Sequence, residues 1–318
     1  MTTATQPSLA SKPKKRGGLL RQVMGNRMAL FGVGLLLFFL LIALLAPIIA
    51  PGSPDKFAGP PNQPPSSEFL LGTTHLGKDV FKQTVWGARS SLLVGFGTAF
   101  FTTLIAIVVG MSAAYFRGLT DDLLTLVMNL FLVIPGLPLL IILSGYLRPA
   151  TSTVIFVLTL TGWAFAARIV RSQTLMLREK DFVAAAKVSG DSNSRIIFRE
   201  ILPNMTSIIV GLAISGVAYG ISAATALSFL GLTDISEVTW GTNLYWAQNG
   251  NALLSGAWWT FVPSGIAVAL VIFALSLINY AMDEVTNPRL RAEKDLKDVF
   301  KQQSAQTVRA TPVIRRAH

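Results

Sequence analysis

The chain reads as an all-α, polytopic membrane protein with six transmembrane helices and both termini in the cytoplasm. Three observations predict this. First, 52% of its 318 residues are hydrophobic and only 14% are charged, against roughly 25% charge in a soluble domain. Second, the charge deficit is concentrated in six apolar runs, residues 28–49, 91–114, 123–143, 152–167, 206–230 and 260–282. Each run is near the roughly 20 residues a helix needs to cross the hydrocarbon. Lipid offers no partner to an open backbone, so each run must be helical. Third, Lys and Arg are asymmetric: 22 fall on the side of the two tails, and five (Lys56, Lys78, Lys82, Arg89, Arg148) on the other. The richer side is cytoplasmic by the positive-inside rule. The net charge of +11 is therefore a topology signal, and nucleic acid is not an expected partner.

Taken in order, residues 1–27 form a basic cytoplasmic tail, too polar over residues 1–20 to pack and expected to be disordered. The first apolar run is too long for a signal-peptide core and lacks a small-residue cleavage site. Residues 28–282 are the six-helix domain. An external loop, 51–89, begins rich in Pro and Gly, and its second half, 80–88, suits a short interfacial helix. The third run carries Pro135 and Pro138, which must kink or loosen it and so mark a candidate gate. The fourth run is the shortest, and Val170 and its neighbours can extend it. Gly95, Gly97, Gly110, Gly211, Gly216 and Gly220 permit close helix contact. A second external loop, 231–259, carries Trp240, Tyr245, Trp246, Trp258 and Trp259, a pattern that fits an interfacial aromatic belt. Residues 283–318 form a charged cytoplasmic tail, helix-prone over 293–303. No internal repeat or pair of matching broken helices stands out.

Several chemistries are missing. There is no cysteine, and the histidines are only His75 and His318, so thiolate and His-based metal sites are not expected. The six runs contain no Asp, Glu, Lys, Arg or His, the groups that proton-coupled transporters and voltage sensors place in the membrane. Residues 72–79 (GTTHLGKD) approach the phosphate loop G-x-x-x-x-G-K-[ST], but Asp79 stands where a magnesium-binding hydroxyl is required. No catalytic residue, cofactor or metal is expected in this chain. It reads as a transport pore whose energy arrives through a partner. The alternative is a secondary transporter or channel working without an ATPase.

The cytoplasmic connection 168–205 offers a place for that partner. Ala184, Ala185 and Ala186 favour helix, Gly190 suits a left-handed stop, and Asp191 or Ser192 can cap a second helix. Pro203 is expected to end that helix near Leu202. The second helix takes an apolar side from Ile197, Phe198 and Ile201. Two short helices joined at a glycine would present a shallow alanine surface.

This pattern resembles the coupling motif of ABC importer permeases, E-A-A-x-x-x-G with an I-x-L-P end. Ala185, Ala186, Gly190 and Pro203 fall on matching positions, Ala184 stands where Glu is common, and Ile201-Leu202 stands where the motif has a looser Ile-Leu pairing. Residues 71–80 (LGTTHLGKDV), 87–95 (GARSSLLVG), 226–232 (ALSFLGL), Trp240-Gly241 and 287–291 (NPRLR) are similar to segments of dipeptide and oligopeptide permeases, with His75 in place of a frequent Asp. Together they resemble the C-type permease subunit of the peptide/nickel class over residues 20–292. The resemblance implies an ABC type I importer permease fold in a prokaryotic cytoplasmic (inner) membrane. It also implies a homologous B-type permease, two ATPase subunits that bind ATP and Mg, and an extracytoplasmic substrate-binding protein. On this reading the loop 184–203 docks on the ATPase, with di- or oligopeptides as cargo.

Overall fold

A computed structural model describes residues 26–286. The tail 1–25, the 287–291 motif and the helix-prone stretch 293–303 lie outside the described residues. Among the described residues the chain is helical, with two isolated bridges, Phe57–Lys78 and Thr73–Asp79, in the first long loop.

Five helices are long and apolar enough to cross a membrane: α1 (Arg27–Ile49), α2 (Val80–Phe116), α5 (Thr151–Arg178), α9 (Thr206–Phe229) and α11 (Val262–Thr286). The sixth expected span, the third in order, is not one helix. It is split into α3 (Gly118–Val133) and α4 (Gly136–Tyr146). Ile134 and Pro135 are both extended, with ψ of 125° and 120°. A residue before proline is pushed out of the α region, so Pro135 breaks the helix rather than bending it. Pro138 lies in the first turn of α4, where its missing N–H costs nothing.

The separate helix expected at 80–88 is instead the start of α2. Asp79 caps α2, its carboxylate accepting from the N–H groups of Phe81 (2.8 Å) and Lys82 (3.3 Å). The anion that spoils the phosphate-loop pattern is thus a helix cap. At 37 residues α2 is about 55 Å long, well beyond the hydrocarbon thickness. The fourth run also extends, since α5 continues through Arg168, Arg171 and Arg178.

Helix α2 is the central post, packed on α5 and α9, while α1 lies against α11. Two close approaches explain the glycines there. A Cβ on Gly110 would lie 2.5 Å from the Ala167 carbonyl oxygen of α5, and one on Gly220 of α9 would lie 3.1 Å from Gly95 Cα of α2. Gly211 does not belong with them, because its hypothetical Cβ meets only Asn279 Oδ1 at 3.5 Å.

Three tryptophans of the second loop are tied into the protein by their indoles. Trp240 opens α10 (Trp240–Asn249) fully buried, and its indole N–H donates to Thr84 O at 3.0 Å. Trp246 donates to Ile235 O and Trp259 to Thr73 O. Trp240 thus pins the start of α2, Trp246 and Trp259 pin loop backbone, and Trp258 is the exposed one.

Candidate functional site: a two-helix elbow fused to the bundle

Beyond Arg178 the chain turns at Glu179 and Lys180 into α6 (Asp181–Val188). Asp181 sits in the first turn, where a negative charge complements the helix dipole. The stop is a Schellman motif. Gly190 has φ +77°, its N–H donates to Lys187 O (3.0 Å), and the Asp191 N–H donates to Ala186 O (3.1 Å). A Cβ on Gly190 would meet nothing within 4 Å. The position therefore needs glycine for its backbone angle and not for space.

Ser192 caps the second arm, its hydroxyl accepting from Arg195 N at 3.4 Å. The arm runs through α7 (Asn193–Arg195), a π-helical turn (Ile196–Ile201) and α8 (Leu202–Asn204). It does not end at Pro203. The turn continues to Asn204, whose side-chain amide donates to Glu200 O at 2.7 Å, and the break falls at Met205. The wider π turn brings residues five apart onto one side. Ile196 and Ile201 are both buried, while Phe198 between them is 62% exposed.

The elbow thus has two faces. Val183, Ala186, Ile196, Ile201 and Met205 face inward and share a core with Met111 and Tyr115 of α2, Met128 of α3 and Trp163 of α5. Tyr115 also donates its hydroxyl to Asn193 Oδ1 at 2.8 Å, and the charges of Arg178 and Lys187 each lie 5.9 Å from its ring centroid. The outward face carries Ala184, Ala185, Val188 (90% exposed), Phe198 and Pro203. Ala186, expected on the presented alanine surface, is instead an anchor, and so is Ile201. Leu202 is half-buried, and Asp191 pairs with Arg195 at 3.3 Å. Val188 is not among the residues the sequence singles out, and Phe198 and Ile201, expected on one apolar side, face opposite ways. The i, i+4 relation to Ala184 was the readable signal for Val188.

Two ion pairs and a hydrogen bond tie the elbow end together. Arg171 makes a bidentate pair with Asp121 of α3 at 2.6 and 2.7 Å. Arg168 donates to Asn129 at 2.6 Å, and Arg117 pairs with Glu179 at the start of the elbow. Pro135 and Pro138, both exposed, lie on α3–α4 and are not brought to the elbow. Among the described residues no group of three His, Cys, Asp or Glu converges as a metal site.

Five long apolar helices thus carry a two-helix elbow, seated on one end of the bundle through a shared core, as expected of a multi-pass membrane component. Residues 106–292 match the family of binding-protein-dependent transport system inner membrane components, and residues 18–65 match the N-terminal transmembrane domain of oligopeptide transport permease C. The chain belongs to this family, and it is a multi-pass inner-membrane permease component of the ABC importer class. It is 36% identical over 275 residues to a putative peptide transport system permease protein of Brucella suis, covering 86% of this chain and 92% of that one. It is 34% identical over 275 residues to the dipeptide transport system permease protein DppC of Bacillus subtilis, covering 85% of each. It is 32% identical over 282 residues to the oligopeptide transport system permease protein OppC of Mycobacterium bovis, covering 87% and 96%. A solved chain of the inward-facing MetNI methionine ABC transporter shares the fold, with a TM-score of 0.51 and 19% identity over 66% of this chain and 95% of that one.

Proposed function

We propose that this chain forms half of the translocation path of an ATP-driven, binding-protein-dependent importer of di- or oligopeptides. The elbow is its docking surface for an ATPase subunit. A homologous permease supplies the other half of the path, ATP and Mg bind on two separate ATPase subunits, and an extracytoplasmic binding protein delivers cargo to the loops at the far end. In this reading α3 and α4 together make the third of six crossings, and both termini are cytoplasmic.

The observation that supports it most is the division of the elbow into two faces. Val188 and Phe198 are large, apolar and left to solvent, while Val183, Ile196 and Ile201, a few residues away, lie in the bundle core. An apolar patch held on a rigid mount suits a protein partner. A partner pushing on it would move α2 and α5 as bodies, the rigid-body coupling that alternating access needs. The names of the relatives supply the peptide cargo.

Co-purification tests the docking. Phe198→Asp places a charge on the outward face and spares the core, so it should leave the permease folded and lose most of the co-purifying ATPase. Full retention of the ATPase by this variant would contradict the docking surface.

A further inference from the structure

Helix α9 is the least enclosed of the five long helices. Its free face carries Ser215, Tyr219 and Ser222, all exposed and spaced at i, i+4 and i+7. Each sits well inside a helix long enough to span the bilayer. The ribbon continues onto both neighbours. Thr161 of α5 lies 2.9 Å from the Tyr219 hydroxyl, and Asn279 of α11 donates its side-chain amide to Ser215 Oγ at 3.1 Å. The exposed faces of α1 and α2 are apolar instead, with Phe38, Leu41 and Leu44 on α1 and Leu93, Phe100 and Leu104 on α2. Those suit lipid. Hydroxyls and amides at membrane depth do not, because hydrocarbon leaves their hydrogen-bonding capacity unmet.

The hydrogen-bond directions within the ribbon can be assigned. Thr161 Oγ1 lies 3.1 Å from the Val157 carbonyl oxygen of its own helix, so it gives its proton there. The Tyr219 O–H then donates to Thr161, and the lone pairs of the phenol oxygen face outward as acceptors. The ring is seated by Gly162, where a Cβ would come within 2.8 Å of Tyr219 Cε1. Ser215, Tyr219, Ser222, Thr161 and Asn279 are all uncharged. The nearest ionised side chain along α5 is Arg168, about two turns from Thr161.

We infer that Ser215, Tyr219 and Ser222 line the water-filled path, and that the Tyr219 oxygen accepts a hydrogen bond from the main-chain N–H of a passing peptide. An uncharged polar wall favours the group common to all peptides over any one side chain. The peptide cargo rests on the reading proposed above; the polar ribbon itself does not.

The chain has no cysteine of its own, so single substitutions give it one thiol each. In the complete transporter in proteoliposomes, a membrane-impermeant methanethiosulfonate reagent is supplied to both faces and labelling is read by mass on this chain. Ser215→Cys and Ser222→Cys should react at least about tenfold faster than the lipid-facing Leu93→Cys, because only a hydrated thiol ionises readily. Rates no faster than that of Leu93→Cys would overturn the lining, and with nucleotide-driven import intact they would leave the importer reading standing. Fast labelling that is indifferent to ATP and vanadate would keep the lining and remove the ATP-driven reading. For the acceptor, Tyr219→Phe should lower the maximal import rate of trialanine about fivefold, the scale of one lost hydrogen bond, without loss of ATPase retention. Unchanged trialanine import would overturn that role.

Discussion

Gly190 and His75 show how single residues set the geometry at opposite ends of the helix bundle. Gly190 is the joint of the elbow, and at φ +77° any side chain strains the backbone. Because nothing crowds the position, Gly190→Ala should cost only the left-handed penalty, about 1 kcal/mol. Thermal unfolding in detergent would show this as a small shift. A large loss would mean that space, not angle, holds the site. His75 packs in the loop before α2, its ring crowding Gly250 and lying 5.9 Å from Trp246. Burial, and secondarily the charge of Lys78, hold its pKa below the ordinary value. The folded loop therefore prefers the neutral ring, and the unfolded loop takes up a proton first as pH falls. His75 supports the loop fully above about pH 6.5, and that support declines on acidification until the folded ring also protonates. Amide exchange over residues 72–79, corrected for intrinsic rates, should quicken from pH 7.5 to 5.5 in wild type. The change should be much smaller in His75→Gln.

At the scale of elements, the sequence made most helices legible and left their ends obscure. The apolar runs announced α1, α2, α5, α9 and α11 because lipid permits so little else. The capping role of Asp79 was readable in principle, but a loop rich in Gly and Pro hid the fact that α2 starts there. Pro135 was visible as a disturbance, yet its consequence depended on Ile134 being forced extended as well. The π turn at 196–201 had no sequence signal. It sets Ile196 and Ile201 in the core together and leaves Phe198, expected beside Ile201, on the exposed side. Among the contacts that hold helix α3 to α5 is the Asp121–Arg171 pair, whose side chains are 16% and 27% exposed. Asp121→Ala would strand the guanidinium and should destabilise the chain by about 2–3 kcal/mol. Asp121→Asn, which keeps one acceptor, should cost less. Equal small losses for both in detergent unfolding would mean that the pair contributes little.

At the scale of the whole molecule, the core at the elbow end joins α2, α3 and α5 to both arms of the elbow, so a force on Val188 or Phe198 acts on the bundle directly. Composition and charge pointed to the membrane class, and the 184–203 motif pointed to the elbow. Which motif residues face outward was not legible, because that is decided by contacts with Met111, Met128 and Trp163, all far away in sequence. The central claim is that Val188 and Phe198 meet an ATPase subunit. It is tested most directly by placing a single cysteine at either position in this cysteine-free chain and adding a short photoactivatable thiol cross-linker to the intact complex. The account predicts an adduct between this chain and the ATPase at both positions, with none from a cysteine at Leu93. Adducts only with the second permease or with lipid, while the complex still imports, would contradict it.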